Sequence, residues 1–530
     1  MSREASVVGL AAIDDSPEVM TERAREVAAA LGYPEERPYE EVGYEYDEGY
    51  IAYVVAGEAS SDRWDVLRSD RPSAIGFWYR GSPVPLLVSP PTLPRPDQLR
   101  WVNLTRPPHT EPGMLTIVLD AAGRLTSLVA VPLPGDTVAR QPDWAALFDL
   151  AGLPMDGFST WQPERIPPVY ADRVAAWQGV LPGRPDVPLR VEAAAAAGRP
   201  VYFAVQAPWT QPADAEDFRP DVTERILGLL GIVALLVVVL LALLARRNLR
   251  LGRSDRRGAM RMAVVIGAAY FVPEALRAWD GQLGLLIPGA AARAVFLWVA
   301  YVALEPHIRS VWPTMVVGWN RLLLGRLRDP LVGRDLLVGT LVGVGTALWV
   351  SVPRLPLWGA EALAPGGSET GSDILLGGRF AVRFVLGPAV GNGFINGVVL
   401  LGILLVAYLV LRRRPVAIAA TFLLALLNAL EGSPEWGPEV FRVLLVAAPV
   451  IAVSLLLLLR LGVLPLMVSL SVRMLALAVP ITLDSSVPYA EASYLMIATI
   501  LGTAGYGFHT ALAGRPVFGP RFFGEEPART

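Results

Sequence analysis

From Ile226 to Leu244 the chain reads ILGLLGIVALLVVVLLALL, 19 residues without a charge. At 1.5 Å of rise per residue such a run covers close to the ~30 Å of bilayer hydrocarbon, and it predicts a crossing. Apolar segments recur at 262–279, 283–304, 335–352, 390–411, 415–430, 440–459, 463–483 and 490–512. The segments 283–304 and 415–430 are short or interrupted, so the pattern predicts an all-α polytopic transmembrane bundle of 7–9 helices over residues 221–530.

Before the first crossing the periodicity is different. Residues 18–31, EVMTERAREVAAAL, place Val19, Ala24, Val27 and Leu31 at helical spacing. Strand-like runs follow: YIAYVVAG, SAIGFWYR, and the pair GMLTIVLD and RLTSLVAVP, which reads as a hairpin with Gly123 at its turn. A second round repeats the order, with a helical DWAALFDLAGL and then PLRVEAAAA and PVYFAVQAP around AGR. The expected fold is an α+β soluble domain over residues 1–220, two helix-then-hairpin units with the loose likeness of a degenerate duplication. The acidic YEEVGYEYDEGY, Tyr39 to Tyr50, reads as a solvated loop, with binding of a cation or basic peptide as its alternative. Phe77 to Arg80, FWYR, reads as a core strand, with a ligand groove as the alternative.

Charge gives these two parts an orientation. Residues 1–220 hold 31 Asp and Glu against 19 Arg, a net of −12, and the remainder holds 18 against 27, a net of +9, together the net −3 of the chain. Directly after the first crossing stand Arg246, Arg247, Arg250, Arg253, Arg256, Arg257 and Arg261, a short basic loop of the kind retained in the cytoplasm. The acidic domain is therefore expected outside. Nine crossings put the C-terminus inside, together with Arg412, Arg413, Arg414, Arg460, Arg515 and Arg521. WDGQ, EALAPGGSETGSD and EGSPEWGPE then fall outside.

Between two crossings, residues 306–334 form a cytoplasmic interfacial segment. IRSVWPTMVVGWNRLLLGRL, from Ile308 to Leu327, mixes Trp and Leu with Arg as a helix lying in the interface does. Arg321, Arg326, Arg328, Asp329, Arg334 and Asp335 are its candidate interface residues, the arginines facing lipid phosphate. Asp329-Pro330 supplies a turn and Asp335 suits a helix start. A catalytic or regulatory cluster is the alternative reading of these six.

Composition removes whole classes of chemistry. The chain has no lysine and no cysteine, so it offers no Walker-A or Schiff-base lysine, no thiolate nucleophile, no disulfide and no cysteine-ligated metal. Its 3 histidines, His109, His307 and His509, are far apart in sequence, and they read as interfacial or surface residues. No cofactor, metal or nucleic acid is expected. Inside the predicted spans stand Glu274 and Arg277, one turn apart and able to pair, with Arg293 and Arg473, and with Asn392, Asn396 and Asn428 able to hydrogen-bond between helices. These seven form a candidate intramembrane polar cluster, read first as bundle glue and second as a transport cavity.

At GRLRDPLVGRDLLVG (325–339), VALEPHIR (302–309) and ARRNLRLGRSDRRGAM (245–260) the chain resembles the membrane-embedded C-terminal half of a group of bacterial serine/threonine protein kinases. DRWDVL, FWYRGSP, PDWAALFDLAGLP, PPVYADRVAAWQG and GRPVYFAVQAPWT extend that resemblance over nearly the entire chain. In those proteins a cytoplasmic kinase domain and one transmembrane helix come first. Here there is no Gly-rich nucleotide loop, no HRD, no DFG and no lysine, so no kinase site residue carries over. The opening MSREASVVGLAAIDDSPEV holds only SVVGLAAI, too short for a signal peptide or a crossing. The resemblance implies the sensory and membrane remainder of a split, shortened or mis-started receptor in the bacterial inner membrane. It would be a non-catalytic sensor or scaffold, with the bilayer and a kinase domain or other signalling protein as partners and an unidentified outer ligand. A transporter and a membrane-embedded enzyme are the alternatives.

Overall fold

The computed structural model describes residues 4, 6–33, 37–57, 60, 62–86, 102–133, 141–210, 238–275, 283–355, 371–429 and 438–514. The chain opens with a short helix α1 (Val7–Leu10), capped by the Ser6 hydroxyl and buried in the core of the first domain. Helix α2 (Pro17–Ala30) starts where sequence chemistry dictates, with Ser16 accepting the Val19 amide hydrogen and Pro17 in the first turn. Its buried stripe is Met20, Ala24, Val27 and Ala28, while Val19 faces outward.

Eight strands form one antiparallel sheet in the order β1-β2-β3-β4-β8-β7-β6-β5. The strands are β1 (Tyr39–Tyr46), β2 (Ile75–Ser82), β3 (Leu115–Leu119), β4 (Leu125–Ala130), β5 (Ser159–Trp161), β6 (Arg173–Leu181), β7 (Arg184–Ala196) and β8 (Arg199–Gln206). Two four-stranded meanders thus meet at their last strands, Leu128 opposite Phe203, and each meander follows a helix, α2 and then α4 (Trp144–Leu150). Both expected hairpins form. Gly123 turns the first at φ +75°, and Ala197-Gly198 turns the second with φ of +51° and +81°, the geometry of a tight two-residue hairpin.

Two local readings are corrected. YIAYVVAG, expected as a strand, is helix α3 (Glu48–Ala56), because the Asp47 side chain caps it by accepting the Tyr50 amide hydrogen and Gly57 ends it. The acidic stretch before it is strand β1, paired with β2 along its whole length rather than looped into solvent. Its Glu40 is tied down by Arg25 at 2.5 Å and by the Tyr79 hydroxyl at 2.5 Å. Strand β2 explains FWYR: Phe77 and Tyr79 enter the main core, while Trp78 and Arg80 are buried on the opposite face, Trp78 among Leu86, Val102 and Met114.

The second part is helical: α5 (238–250), α6 (Arg256–Ala275), α7 (Leu283–Val311), α8 (Val317–Leu323), α9 (Pro330–Ser351), α10 (Gly378–Phe384), α11 (Gly393–Leu411), α12 (Arg414–Ala429), α13 (Pro438–Leu461), α14 (Val463–Ala478) and α15 (Ala490–Ala511). Among the described residues, four spans are long and apolar enough to cross a bilayer, Gly289–Val311, Pro330–Arg354, Ala389–Leu411 and Val443–Leu461, and α12 and α14 are shorter apolar helices. The protein is therefore a multi-pass membrane protein. Most of the crossing expected at 226–244 lies outside the described residues.

The hub of the bundle is α14, buried over nearly all of its length. It lies between two glycine pairs at four-residue spacing. A Cβ on Gly339 or Gly343 of α9 would meet the Pro465 or Ser469 carbonyl oxygen at 2.7 Å, and one on Gly397 of α11 would meet Met467 at 2.5 Å, with Gly393 held as tightly against Ser471. Without water to drive helices together, close backbone approach at small residues is what holds them. Between α10 and α11 the helix widens to a π-helical stretch, Val385–Asn392, containing Gly387, Pro388 and Gly391. Pro388 has no N–H to close onto the Phe384 carbonyl, which favours that widening.

Sheet and bundle share one apolar core. Ile374 and Leu375 are both 0 % exposed and belong to the cluster that contains Ile75, Phe77 and Leu119 of the sheet and Phe384, Leu475, Tyr489 and Met496 of the bundle. The turn that carries them, Gly371–Leu376, lies against β1.

Candidate functional site

The arginine-rich end of the bundle is built on a proline. Pro306 inside α7 leaves the Val302 carbonyl without its helical donor. Asn248, 3 % exposed at the end of α5, supplies the replacement, its amide donating to the Val302 and Ala303 carbonyls at 3.0 Å each. Beside it Glu305 is 3 % exposed and ion-paired with Arg309 one turn on.

The interfacial helix expected from Ile308 to Leu327 is three pieces. α7 runs on to Val311, Trp312 leaves the helix at φ −137° and ψ 69°, Pro313 opens a 3-10 turn to Val316, and α8 follows. Proline cannot accept the helical pattern across that junction, so the segment folds as an elbow. Three side chains fasten it: Tyr301 donates to Asn320 Oδ1 at 3.2 Å, Arg261 to the Leu323 carbonyl at 2.8 Å and Tyr506 to the Leu327 carbonyl at 3.0 Å.

Of the six expected interface residues, four pair within the elbow. Arg321 donates to both oxygens of Asp329, at 2.7 and 2.9 Å, and Asp329 caps α9 by accepting the Leu331 amide hydrogen at 2.9 Å. Partial burial opposes ionisation of Asp329, but the Arg321 and Leu331 hydrogen bonds and the charges of Arg321 and Arg326 outweigh it and hold the carboxyl below the usual range. Arg334 donates to Asp335 at 2.6 Å, and Asp335 itself is 1 % exposed against Gly318 of α8. Arg326 and Arg328 are exposed.

Four members of the candidate intramembrane cluster fall on four helices, Arg293 on α7, Asn396 on α11, Asn428 on α12 and Arg473 on α14. Arg293 of α7 lies with its guanidinium 4.5 Å from the Tyr270 ring and donates to the Gly289 carbonyl at 3.2 Å. The same Tyr270 ring packs on Gly391 of the π segment, where a Cβ would meet its Cζ at 2.6 Å. Arg473 is on the half-exposed stripe of α14 with Leu470 and Met474, and Asn396 and Asn428 are exposed on α11 and α12. Among the described residues no hydrogen bond or ion pair joins Arg293, Arg473 and Asn396 to one another. Arg277 and the side chains of Glu274 and Asn392 lie outside the described set.

The histidines are separate: His307 bonds its own helix at the Ala303 carbonyl at 3.1 Å, and His509 is exposed on α15. Among the described residues no three His, Asp or Glu side chains converge as metal ligands do. His109 sits on the outer face of the sheet, its Nε2 2.6 Å from Thr116 Oγ1. Near it Arg80, 1 % exposed, donates to the Asn103 and Pro107 carbonyls at 2.7 and 2.6 Å. Burial pushes Arg80 down to about 10, and burial with the Arg80 charge pushes His109 from 6.5 down to about 4. The unfolded chain therefore takes up a proton at this position between pH 6.5 and 4 and the folded chain does not. Stability from this site is full above that window and falls as pH drops through it, by about 1–2 kcal/mol after allowance for partial exposure. Chemical unfolding at pH 7 and pH ~4.5 checks this: His109→Gln should lose less stability on acidification than the natural chain, and equal losses would remove the assignment.

Sequence reasoning missed Asn248, Glu305 and the shared core turn. Pro306 inside an apolar helix was the available signal for the first, since a freed carbonyl at membrane depth demands a donor. Fold and site define a multi-pass membrane protein that carries an eight-stranded antiparallel domain and a fastened basic elbow. No known protein family, curated protein or solved structure matches the chain.

Proposed function

We propose that the chain is a non-enzymatic sensory or scaffolding module of a bacterial cytoplasmic membrane. The sheet domain lies outside, the arginine-rich end inside, and a kinase or other signalling protein receives the output. One observation carries this reading: the sheet and the bundle share a single core through Ile374 and Leu375, so a contact that moves β1 also loads α10. From α10 the route enters the π segment, and there Gly391 meets Tyr270 and, through it, Arg293. The basic end, on the positive-inside rule, faces the cytoplasm. The resemblance of the quoted segments to kinase-linked membrane halves supports the signalling part of the reading.

A cysteine-free chain makes the test direct, because any introduced thiol is unique. Val382→Cys, on the exposed side of α10, reports the state of that helix by its rate of maleimide labelling in membranes. Leu375→Ala, which empties part of the shared core, should raise that rate threefold or more. In the same background Ile166→Cys should react with an impermeant maleimide from outside and Leu251→Cys only after permeabilisation. A labelling rate at Val382→Cys indifferent to Leu375→Ala would sink the coupling. The permease reading, favoured by the π segment beside Arg293, would then take its place.

A further inference from the structure

Two cavities abut along α6 and α7. The larger, about 720 Å³, is a trough whose described lining is entirely apolar; the smaller, about 470 Å³, opens at its basic end and is lined by Arg246, Arg250 and Arg256. Trp298 and Val299 line both, so the two form one continuous groove. Its floor is shallow because small residues let the helices touch: a Cβ on Gly267 would meet the Ala294 methyl at 3.2 Å. Its walls, Met260, Val264, Ile287 and Val295, are each more than half exposed. A volume of this size falls in the range of about 300–1,000 Å³ typical of ligand clefts.

The basic mouth is unsatisfied. Arg246 and Arg250 stand one turn apart at the end of α5, and Arg256 is aligned beside them by donating to the Leu249 carbonyl at 2.9 Å. No carboxylate among the described residues pairs with any of the three. Trp298, which lines both cavities, has a buried indole N–H that finds no acceptor among the described residues. A buried donor left open is costly, and a donor between an apolar trough and three cations calls for an acceptor-rich, negatively charged amphiphile.

We propose that this groove is a binding site for one anionic phospholipid. Its phosphate is held by Arg246, Arg250 and Arg256, its glycerol-ester region accepts from Trp298, and an acyl chain lies in the α6–α7 trough. The occupant comes from the leaflet on the arginine side. Zwitterionic lipid can fill the trough but leaves the arginines without net counter-charge. The site is independent of the sensory reading and stands whether or not the chain signals.

The full chain in neutral detergent, titrated with phosphatidylglycerol, phosphatidylcholine or inorganic phosphate and followed by thermal unfolding, tests it. Phosphatidylglycerol should raise the midpoint saturably, phosphatidylcholine by clearly less, and inorganic phosphate not at all. Replacing all three arginines (Arg246→Ala, Arg250→Ala, Arg256→Ala) should weaken phosphatidylglycerol on the order of tenfold to a hundredfold. The control triple Arg412→Ala, Arg413→Ala, Arg414→Ala, also basic but away from the groove, should leave it unchanged. Ala291→Trp, which blocks the trough and spares the arginines, should weaken it too, so a folding defect in the arginine triple does not end the test. Equal shifts with phosphatidylcholine would mean annular lipid only, and an equal effect of phosphate alone would mean an ion site only. Either result, or equal loss in the control triple, overturns the proposal.

Discussion

Leucine at Gly343 is expected to abolish accumulation of folded protein in membranes, while leucine at Gly345, two residues on, leaves yield and thermal midpoint near those of the natural chain. A Cβ at Gly343 would lie 2.7 Å from both the Ser469 carbonyl oxygen and the Val472 Cβ, whereas one at Gly345 meets nothing within 4 Å. The first obstacle is backbone in the central helix, and α14 cannot withdraw because Gly393 and Gly397 press on it from α11. Overpacking costs typically about 1–3 kcal/mol where side chains can yield. Here the expected cost is about 3 kcal/mol or more, a large share of a total stability of about 5–15 kcal/mol. Detergent extraction followed by size-exclusion yield separates the two variants, and a Gly343→Leu protein that elutes like its Gly345→Leu partner would refute the hub.

Trp209→Ala should unfold the sheet domain's exit, at a cost of about 3 kcal/mol or more, while Trp161→Ala changes stability by less than about 0.5 kcal/mol. Trp209 follows β8 and is wedged against Tyr50 and Tyr53 of α3, with ring centroids 4.8 and 5.0 Å away. Its indole also bonds Asp47, the cap of α3, whose carboxyl burial raises above the usual range while the Tyr50 amide and Trp209 oppose the shift. Removing the indole thus leaves a cavity and strips a partner from a buried carboxylate. Trp161, 50 % exposed on the edge strand β5, has neither role. Protease sensitivity after residue 209 in intact membranes, measured on both variants, reads the difference. Equal sensitivity would mean that the chain leaving β8 is held elsewhere.

Where local signals and packing agreed, the fold was legible. Ser16-Pro17, Gly123 and the long uncharged runs each placed an element, because caps, positive φ and bilayer thickness act within a few residues. The strand expected over YIAYVVAG, Tyr50 to Gly57, failed because a cap outweighed β-branched composition: Asp47 begins a helix that Tyr50 and Val54 bury on one face. The acidic run from Tyr39 became a strand because β2 needed a partner, a demand that no window around Tyr39 contains. The candidate site was legible in type and not in arrangement. Arg321, Asp329, Arg334 and Asp335 are neighbours in sequence and pair as neighbours, while Asn248 reaches a carbonyl 54 residues away. Arg293 and Arg473 share a hydrophobic setting without sharing a contact, since spacing fixes which helix a residue is on and not which helix it meets.

Helix α14 has 16 residues and so rises about 24 Å, less than the ~30 Å depth of a typical hydrocarbon slab. The pillar at the middle of the bundle is therefore shorter than such a slab is deep. The backbone that leaves it at Val479 is non-helical until α15 begins at Ala490. Non-helical backbone beside a membrane helix must bring its own solvation. It does: Ser493 accepts the Thr482 amide hydrogen at 2.9 Å and donates to the Thr482 carbonyl at 3.3 Å, and the Tyr494 hydroxyl covers the Leu483 carbonyl at 3.1 Å. The return from α14 to α15 thus has backbone groups at Thr482 and Leu483 met by hydroxyls of the helix it leads into.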